Sequence, residues 1–332
     1  MCCAACATAI PSLMPEEGMM AQSKSSPPAA SILPPLVSTA WLARELGAPD
    51  LVVLDCTIWL TPRSDLSDNE AASGLPDFVK AHIPGARFAD MLGDLSDPES
   101  DLRCALPSTA RFAEAMGRLG VGEASRVVVY ARGSQNWGPR LWWMLRAFGF
   151  DRAAVLDGGM AKWEAEGHPV ETGLPPPVQP ARFVGRPRAG IFADRQAVLA
   201  AMADGGAVVL NALSAEQHEG RGGVHYGRPG RIPGSLNVPA RDLFDPATQA
   251  FRPLPELAAG FEMRGIRPGG GIGVICYCGG GIAASADAFI LHLLGHERVS
   301  VYDASLMEWA RDSSLPMETG PMSTDGPGQV MA

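Results

Sequence analysis

Gly273-Val274-Ile275-Cys276-Tyr277-Cys278-Gly279-Gly280-Gly281-Ile282-Ala283-Ala284 reads as a strand, a cysteine, a glycine loop and the start of a helix. Val274 and Ile275 are β-branched, and Tyr277 also favours a strand. Three glycines let the backbone curl with no Cβ in the way. Ile282 to Ile290 then offers good helix formers with an apolar face. Such a loop, curled in front of a helix, turns several backbone N–H groups toward one point. That nest attracts an anion, and the helix dipole adds to it. The group placed there is the Cys278 sulfur, and a nucleophile or a carrier of a charged sulfur species is built this way. Taken alone, the same residues also suit a small buried cysteine beside a tight turn.

Outward from this stretch the chain repeats. Strand-like runs at Leu51–Asp55, Arg126–Tyr130 and Ala153–Leu156 alternate with helical segments at Thr39–Gly47, Pro139–Phe148 and Met160–Gly167, while Thr61 to Leu75 reads as a polar loop. Alternation of this kind predicts an α/β fold with a parallel sheet covered on both faces. Ala207–Asn211 then echoes Leu51–Asp55, Arg231-Ile232-Pro233-Gly234 echoes His82-Ile83-Pro84-Gly85, and Val274–Tyr277 echoes Val127–Tyr130. Asn211 follows Asp55 by 156 residues, Arg231 follows His82 by 149, Tyr277 follows Tyr130 by 147, and Trp309 follows Trp163 by 146. A nearly constant offset this long means two copies of one domain. The expected division is a leader over 1–33, a first domain over 34–171, a stiff proline-rich linker over 172–180, a second domain over 181–320 and a tail over 321–332. Counting from the paired tyrosines, Cys278 corresponds to Ala131, so only the second copy carries the sulfur and the first is expected to be catalytically silent.

Composition bounds the function. The 332 residues are 46% hydrophobic and 19% charged, enough for a sizeable core, and the net charge is -9. That argues against nucleic acid as a partner. No stretch approaches the run of about 18 apolar residues that crosses a membrane. Cys2, Cys3, Cys6, Cys56, Cys104, Cys276 and Cys278 are odd in number and form no framework, which suits a reducing, cytoplasmic setting. No metal site or cofactor is called for: Cys276 and Cys278 lack a second pair at zinc spacing. Cys276 reads as a core cysteine rather than a resolving thiol.

With these motifs in order, twice, the sequence resembles the tandem-domain rhodanese family, the thiosulfate and 3-mercaptopyruvate sulfurtransferases, over about residues 35 to 320. The resemblance rests on Tyr277-Cys278-Gly279-Gly280-Gly281-Ile282-Ala283 as the active-site loop, on His82–Ala86 and its second-copy partner, and on the Asp157 and Asp303 segments running to Trp163 and Trp309. It implies two rhodanese-like domains and transfer of a sulfane sulfur from a small anionic donor. The sulfur would pass through a Cys278 persulfide to a thiol, cyanide or protein acceptor. A non-catalytic relay carrying persulfide sulfur to a protein partner is the alternative. Cysteine phosphatases share the nest but close it with an arginine six positions on, where this chain has Ala284.

Two departures concern the donor. The family's second-domain Asp-Ala-Arg reads Asn211-Ala212-Leu213 here, and a second family arginine falls at Gln217. Basic Arg221, Arg228 and Arg231 lie in one flexible-looking stretch and are expected to grip the donor anion instead. His82 matches the family's first-domain histidine near the active site. Only glycines follow Cys278, so 3-mercaptopyruvate is expected to be used better than thiosulfate.

Overall fold

The computed structural model of the protein describes Met1, residues 33–267 and residues 269–321. The expected leader, with Cys2, Cys3 and Cys6, and the expected tail lie outside these residues apart from Met1, Leu33 and Pro321.

The first half contributes strands β1 (Leu36–Val37), β2 (Leu51–Asp55), β3 (Ile58–Pro62), β4 (Asn69–Ser73), β5 (Arg87–Phe88), β6 (Arg126–Tyr130) and β7 (Ala153–Leu156). The second contributes β8 (Phe192–Ala193), β9 (Ala207–Asn211), β10 (Leu236–Asn237), β11 (Gly273–Tyr277) and β12 (Val299–Tyr302). Near-continuous apolar runs such as Val127–Tyr130 and Val274–Tyr277 are buried along their whole length, as central parallel strands with helices on both faces must be. The sheets run β1-β7-β6-β2-β5 and β8-β12-β11-β9-β10, every pairing parallel, so the two halves share one topology. Helix starts are set locally: Ser38, Ser108 and Asp194 each accept an N–H three residues on.

The duplication is visible bond by bond. Ile83 N–H donates to the Tyr130 hydroxyl at 3.3 Å, and Ile232 N–H to the Tyr277 hydroxyl at 3.0 Å. The Trp163 and Trp309 indoles donate to the Pro169 and Pro316 carbonyls, both at 2.8 Å. The helices that follow β6 and β11, Trp137–Ala147 and Ile282–Leu293, join the halves: Trp142 packs edge-on against Phe289 with ring centres 4.9 Å apart. One hydrophobic core therefore runs through both halves, and the described residues between Leu33 and Pro321 form one compact unit.

Two segments differ from the sequence reading. The stretch from Thr61 to Leu75, expected as loop, holds most of an antiparallel hairpin of β3 and β4. Its residues, among them Asn69, Glu70, Ala71 and Ala72, are poor strand formers, so propensity hides it. Tertiary contact holds it: the Trp59 indole covers Gly133 and donates to Asp77 at 2.8 Å. After Leu174 the chain has no regular structure up to Arg188. The N–H groups of Ala181, Arg186 and Arg188 donate to carbonyls of Gly117, Phe148 and Ala147, strapping this stretch along the first half.

Candidate active site

The β11 strand ends at Tyr277, and Cys278 stands in the turn before the Ile282–Leu293 helix. Gly281, at φ +76°, makes the turn: a Cβ there would meet the Asp303 carbonyl at 2.8 Å. Cys278 is 2% exposed and lines a cavity between the halves with about 90 Å³ of room for water-sized molecules. Gly279, Gly280, Ile282 and Ala283 line the same cavity, and their N–H groups make no hydrogen bond within the described chain. Four unspent donors therefore stand at this helix start, where the sequence leads one to expect an anion nest.

Two further N–H groups of the loop are spent. Those of Cys278 and Gly281 donate to the Ser305 hydroxyl, at 3.1 and 3.2 Å, and Ser305 donates to the Tyr302 carbonyl at 2.7 Å. Ser305 is fully buried and adopts φ +48°. Its counterpart in the first half is Gly159, at φ +52°. A hydroxyl inserted behind the loop in the sulfur-bearing half alone braces the turn from below. The hydroxyl was not singled out from the sequence; the difference between Gly159 and Ser305 in two aligned repeats is the signal that finds it.

The opposite wall comes from the first half: Asn69 of β4, Arg103 and Cys104 of the loop after β5, Ser134 and Asn136 ahead of the joining helix, and Trp137 at its first position. Arg103 donates to the Asn69 carbonyl at 2.6 Å and to Asp68 at 3.0 Å, and Arg311 of the second half also stands 3.5 Å from Asp68. Two guanidiniums against one carboxylate leave a positive surplus at this wall. Tyr226, at φ +54°, enters from the second half and lies so close to Gly279 that no side chain fits there. Asn69 donates to its hydroxyl at 3.2 Å, while burial and the adjacent Cys278 sulfur push the phenol up. Of the five described non-glycine residues with positive φ, Cys104 and Tyr226 line this cavity and Ser305 supports it. Strained backbone gathers where side chains must be held in place.

The arginines expected at the donor are elsewhere. Arg228 spends its guanidinium on four carbonyls, those of Ala310, Trp309, Leu315 and Asp312, at 2.9, 3.1, 3.0 and 2.6 Å. Arg231 is buried, pairs with Glu318 and donates to the carbonyls of His218 and Gly320. Neither lines the Cys278 cavity. Arg221 is exposed, paired with Glu219, and lines an adjoining cavity that shares Leu213 with the first. His82 is 1% exposed, stacks on Phe78 and contacts the Phe78 carbonyl through Nδ1 at 2.8 Å. His82 and Arg231 serve as equivalents, forming antiparallel bridges to Glu171 and Glu318. Those glutamates accept the N–H groups of Gly85 and Gly234 in the two turns. A basic side chain at this repeat position is thus a brace. Arg103, which does reach the cavity, lies just past Asp94–Pro98, a segment echoed by Asp242–Pro246 at an offset of 148, and its own counterpart there is Phe251, so the repeat does not mark it.

Cys276 is fully buried and does not line the cavity; burial pushes its thiol well up, and the neighbouring Asp287 adds to this. Among the described residues no three His, Cys, Asp or Glu side chains gather to hold a metal ion. No described helix is long and apolar enough to cross a membrane.

Comparison with known proteins agrees with this architecture. The Rhodanese-like domain family matches residues 38–166 and again 195–312. The chain is 33% identical to 3-mercaptopyruvate sulfurtransferase of Escherichia coli K12, covering 85% of this chain and 97% of that one. It is 32% identical to thiosulfate/3-mercaptopyruvate sulfurtransferase 2 of Arabidopsis thaliana, covering 85% and 86%, and 31% identical to thiosulfate sulfurtransferase of Bos taurus, covering 82% and 91%. The crystal structure of SseA from Escherichia coli, described as a 3-mercaptopyruvate sulfotransferase, superposes with a TM-score of 0.72 at 30% identity over 82% of this chain and 98% of that one. Two copies of one fold, one of them bearing a cysteine in a nest, and this extent of likeness carry one conclusion: the chain belongs to the rhodanese family and is a sulfurtransferase with two rhodanese-like domains.

Proposed function

We propose that Cys278 carries the transferred sulfur. Its thiolate attacks the sulfane sulfur of the donor, forming an S–S bond as the donor's own bond to that sulfur breaks. Thiosulfate releases sulfite; 3-mercaptopyruvate releases the pyruvate enolate, which takes up a proton. An acceptor thiolate or cyanide then attacks the outer sulfur, and the Cys278 thiolate leaves. The observation that carries this reading is the set of four unspent N–H groups, of Gly279, Gly280, Ile282 and Ala283, around one cavity-lining sulfur. Preorganised donors of this kind stabilise charge that develops on sulfur without having to reorganise.

Arg103 holds the donor's anionic group in this scheme, in place of Arg221, Arg228 and Arg231. Its surplus charge is partly spent on Asp68, which favours a monoanionic carboxylate such as 3-mercaptopyruvate over dianionic thiosulfate. The depth of Cys278 favours slender acceptors, a free thiol or cyanide, over a cysteine fixed on a folded partner. The four described cysteines are unpaired thiols, which suits a cytoplasmic setting.

Intact mass after incubation with each donor tests the reading. The wild-type chain should gain one sulfur atom and Cys278→Ser none. Arg103→Ala should load the same sulfur with a KM raised about tenfold or more, the scale of one charge-assisted hydrogen bond. Sulfur taken up by Cys278→Ser would move the carrier role to another thiol.

A further inference from the structure

The first-half wall of the cavity holds two polar groups that the fold does not use. Trp137 lines the cavity at 1% exposure, and its indole N–H has no acceptor among the described residues. Asn136 also lines it, and its amide oxygen is buried without a partner. The other tryptophans show how unusual this is. Trp59, Trp142, Trp143, Trp163 and Trp309 all give their indole N–H to a carboxylate or carbonyl, and Trp41 is half-exposed. Folded proteins leave few buried donors unpaired, because each forfeits its hydrogen bonds to water and gains nothing in return. Asn136 stands at the start of the Trp137–Ala147 helix but makes no capping bond, so its amide is not explained by the helix either.

We propose that the Trp137 indole N–H and the Asn136 amide form an oxyanion subsite that receives a carboxylate or sulfonate oxygen of the sulfur donor. This deepens the reading of Cys278 as sulfur carrier and rests on it. The indole can only donate, so its partner must be an acceptor. An amide presents N–H or C=O in the same place by rotating half a turn, so Asn136 can add a second donor. With Arg103 on the same wall, the first half offers up to three donor groups to oxygen, while the nest across the cavity receives sulfur. A donor that carries both an oxyanion and a transferable sulfur spans the two. By the repeat offset, Trp137 is the counterpart of Ala284, so the loop that lacks the cysteine faces the cavity as a reader of the substrate.

The experiment uses the full chain and three sulfur sources: 3-mercaptopyruvate, thiosulfate, and inorganic polysulfide, which has no oxygen. Trp137→Phe keeps the ring and removes the N–H. It should raise KM about tenfold or more for both oxygen-bearing donors, the scale of a hydrogen bond to an anion. Loading of Cys278 by polysulfide and the melting temperature should stay at wild-type values. Asn136→Ala should raise the same two KM values by a smaller factor, and it serves as the test if the tryptophan variant folds poorly. Unchanged KM values in both variants overturn the subsite while leaving Cys278 loading intact. An equal loss with polysulfide also overturns it, since that outcome makes the residues packing elements. Failure of the wild-type chain to load Cys278 from any source overturns the carrier reading and the subsite together.

Discussion

Ser305 is a non-glycine residue in the left-handed region, where a Cβ costs roughly 1–2 kcal/mol. The first-half counterpart is glycine and avoids that cost. What the serine supplies in exchange is one oxygen that accepts the N–H groups of both Cys278 and Gly281. Replacement separates the two effects. Ser305→Ala keeps the strained backbone and loses the acceptor; Ser305→Gly loses the acceptor and relaxes the backbone. Both should slow sulfur loading of Cys278, and Ser305→Gly should melt at the higher temperature of the two. Equal loading by the alanine variant and wild type would remove Ser305 from the support of the loop.

At the scale of elements, the stretch from His218 to Arg231 shows how a charge pattern misleads. Three arginines within eleven residues read as a site for an anion. Arg228 instead closes over the end of the Ser305–Trp309 helix, where carbonyls lack helical partners, and a guanidinium suits them. His218 is buried against Ser235, and burial lowers its pKa to about 4. Arg228→Ala should therefore lower the melting temperature and leave the donor KM close to wild type, whereas a raised KM with unchanged melting would restore Arg228 to the donor. Strands, repeats and the Cys278 loop were legible because each has a local signature: an apolar run, a fixed offset, a glycine cluster after a cysteine. The β3–β4 hairpin and the Arg103, Asn136 and Trp137 wall were not. The hairpin is made of poor strand formers held by contacts within the first half, and the wall arises from the apposition of two halves, which no spacing along the chain records.

A buried ion pair is among the contacts that join the two halves. Arg140, fully buried in the first half, has Nη2 2.6 Å from Asp303 of the second and donates to the Cys104 carbonyl at 2.9 Å. The other carboxylate oxygen of Asp303 accepts the Leu106 N–H at 2.9 Å. Removing one partner of a buried pair strands the other charge, at a cost of about 3–5 kcal/mol, while apolar replacement of both is close to neutral. Because Asp303 is partly exposed, Asp303→Asn should lose about 3 kcal/mol in urea unfolding. Adding Arg140→Met to it should recover part of that loss. A double variant less stable than the single would mean that the pair is not held by charge.

The loop Ala131 to Trp137 lies opposite the sulfur yet takes no part in bonding to it. A duplicated gene inherits every part twice, and here the copies answer to different pressures. A Cβ added at Gly279, Gly280 or Gly281 would stand 2.1, 2.6 or 2.8 Å from Tyr226, Met307 or the Asp303 carbonyl, closer than packed atoms come. If the proposed oxyanion subsite holds, substitution at Asn136 or Trp137 in the twin loop would change which donors are held and leave the sulfur chemistry at Cys278 standing, so the half without the thiol would be the place to redesign the choice of sulfur source.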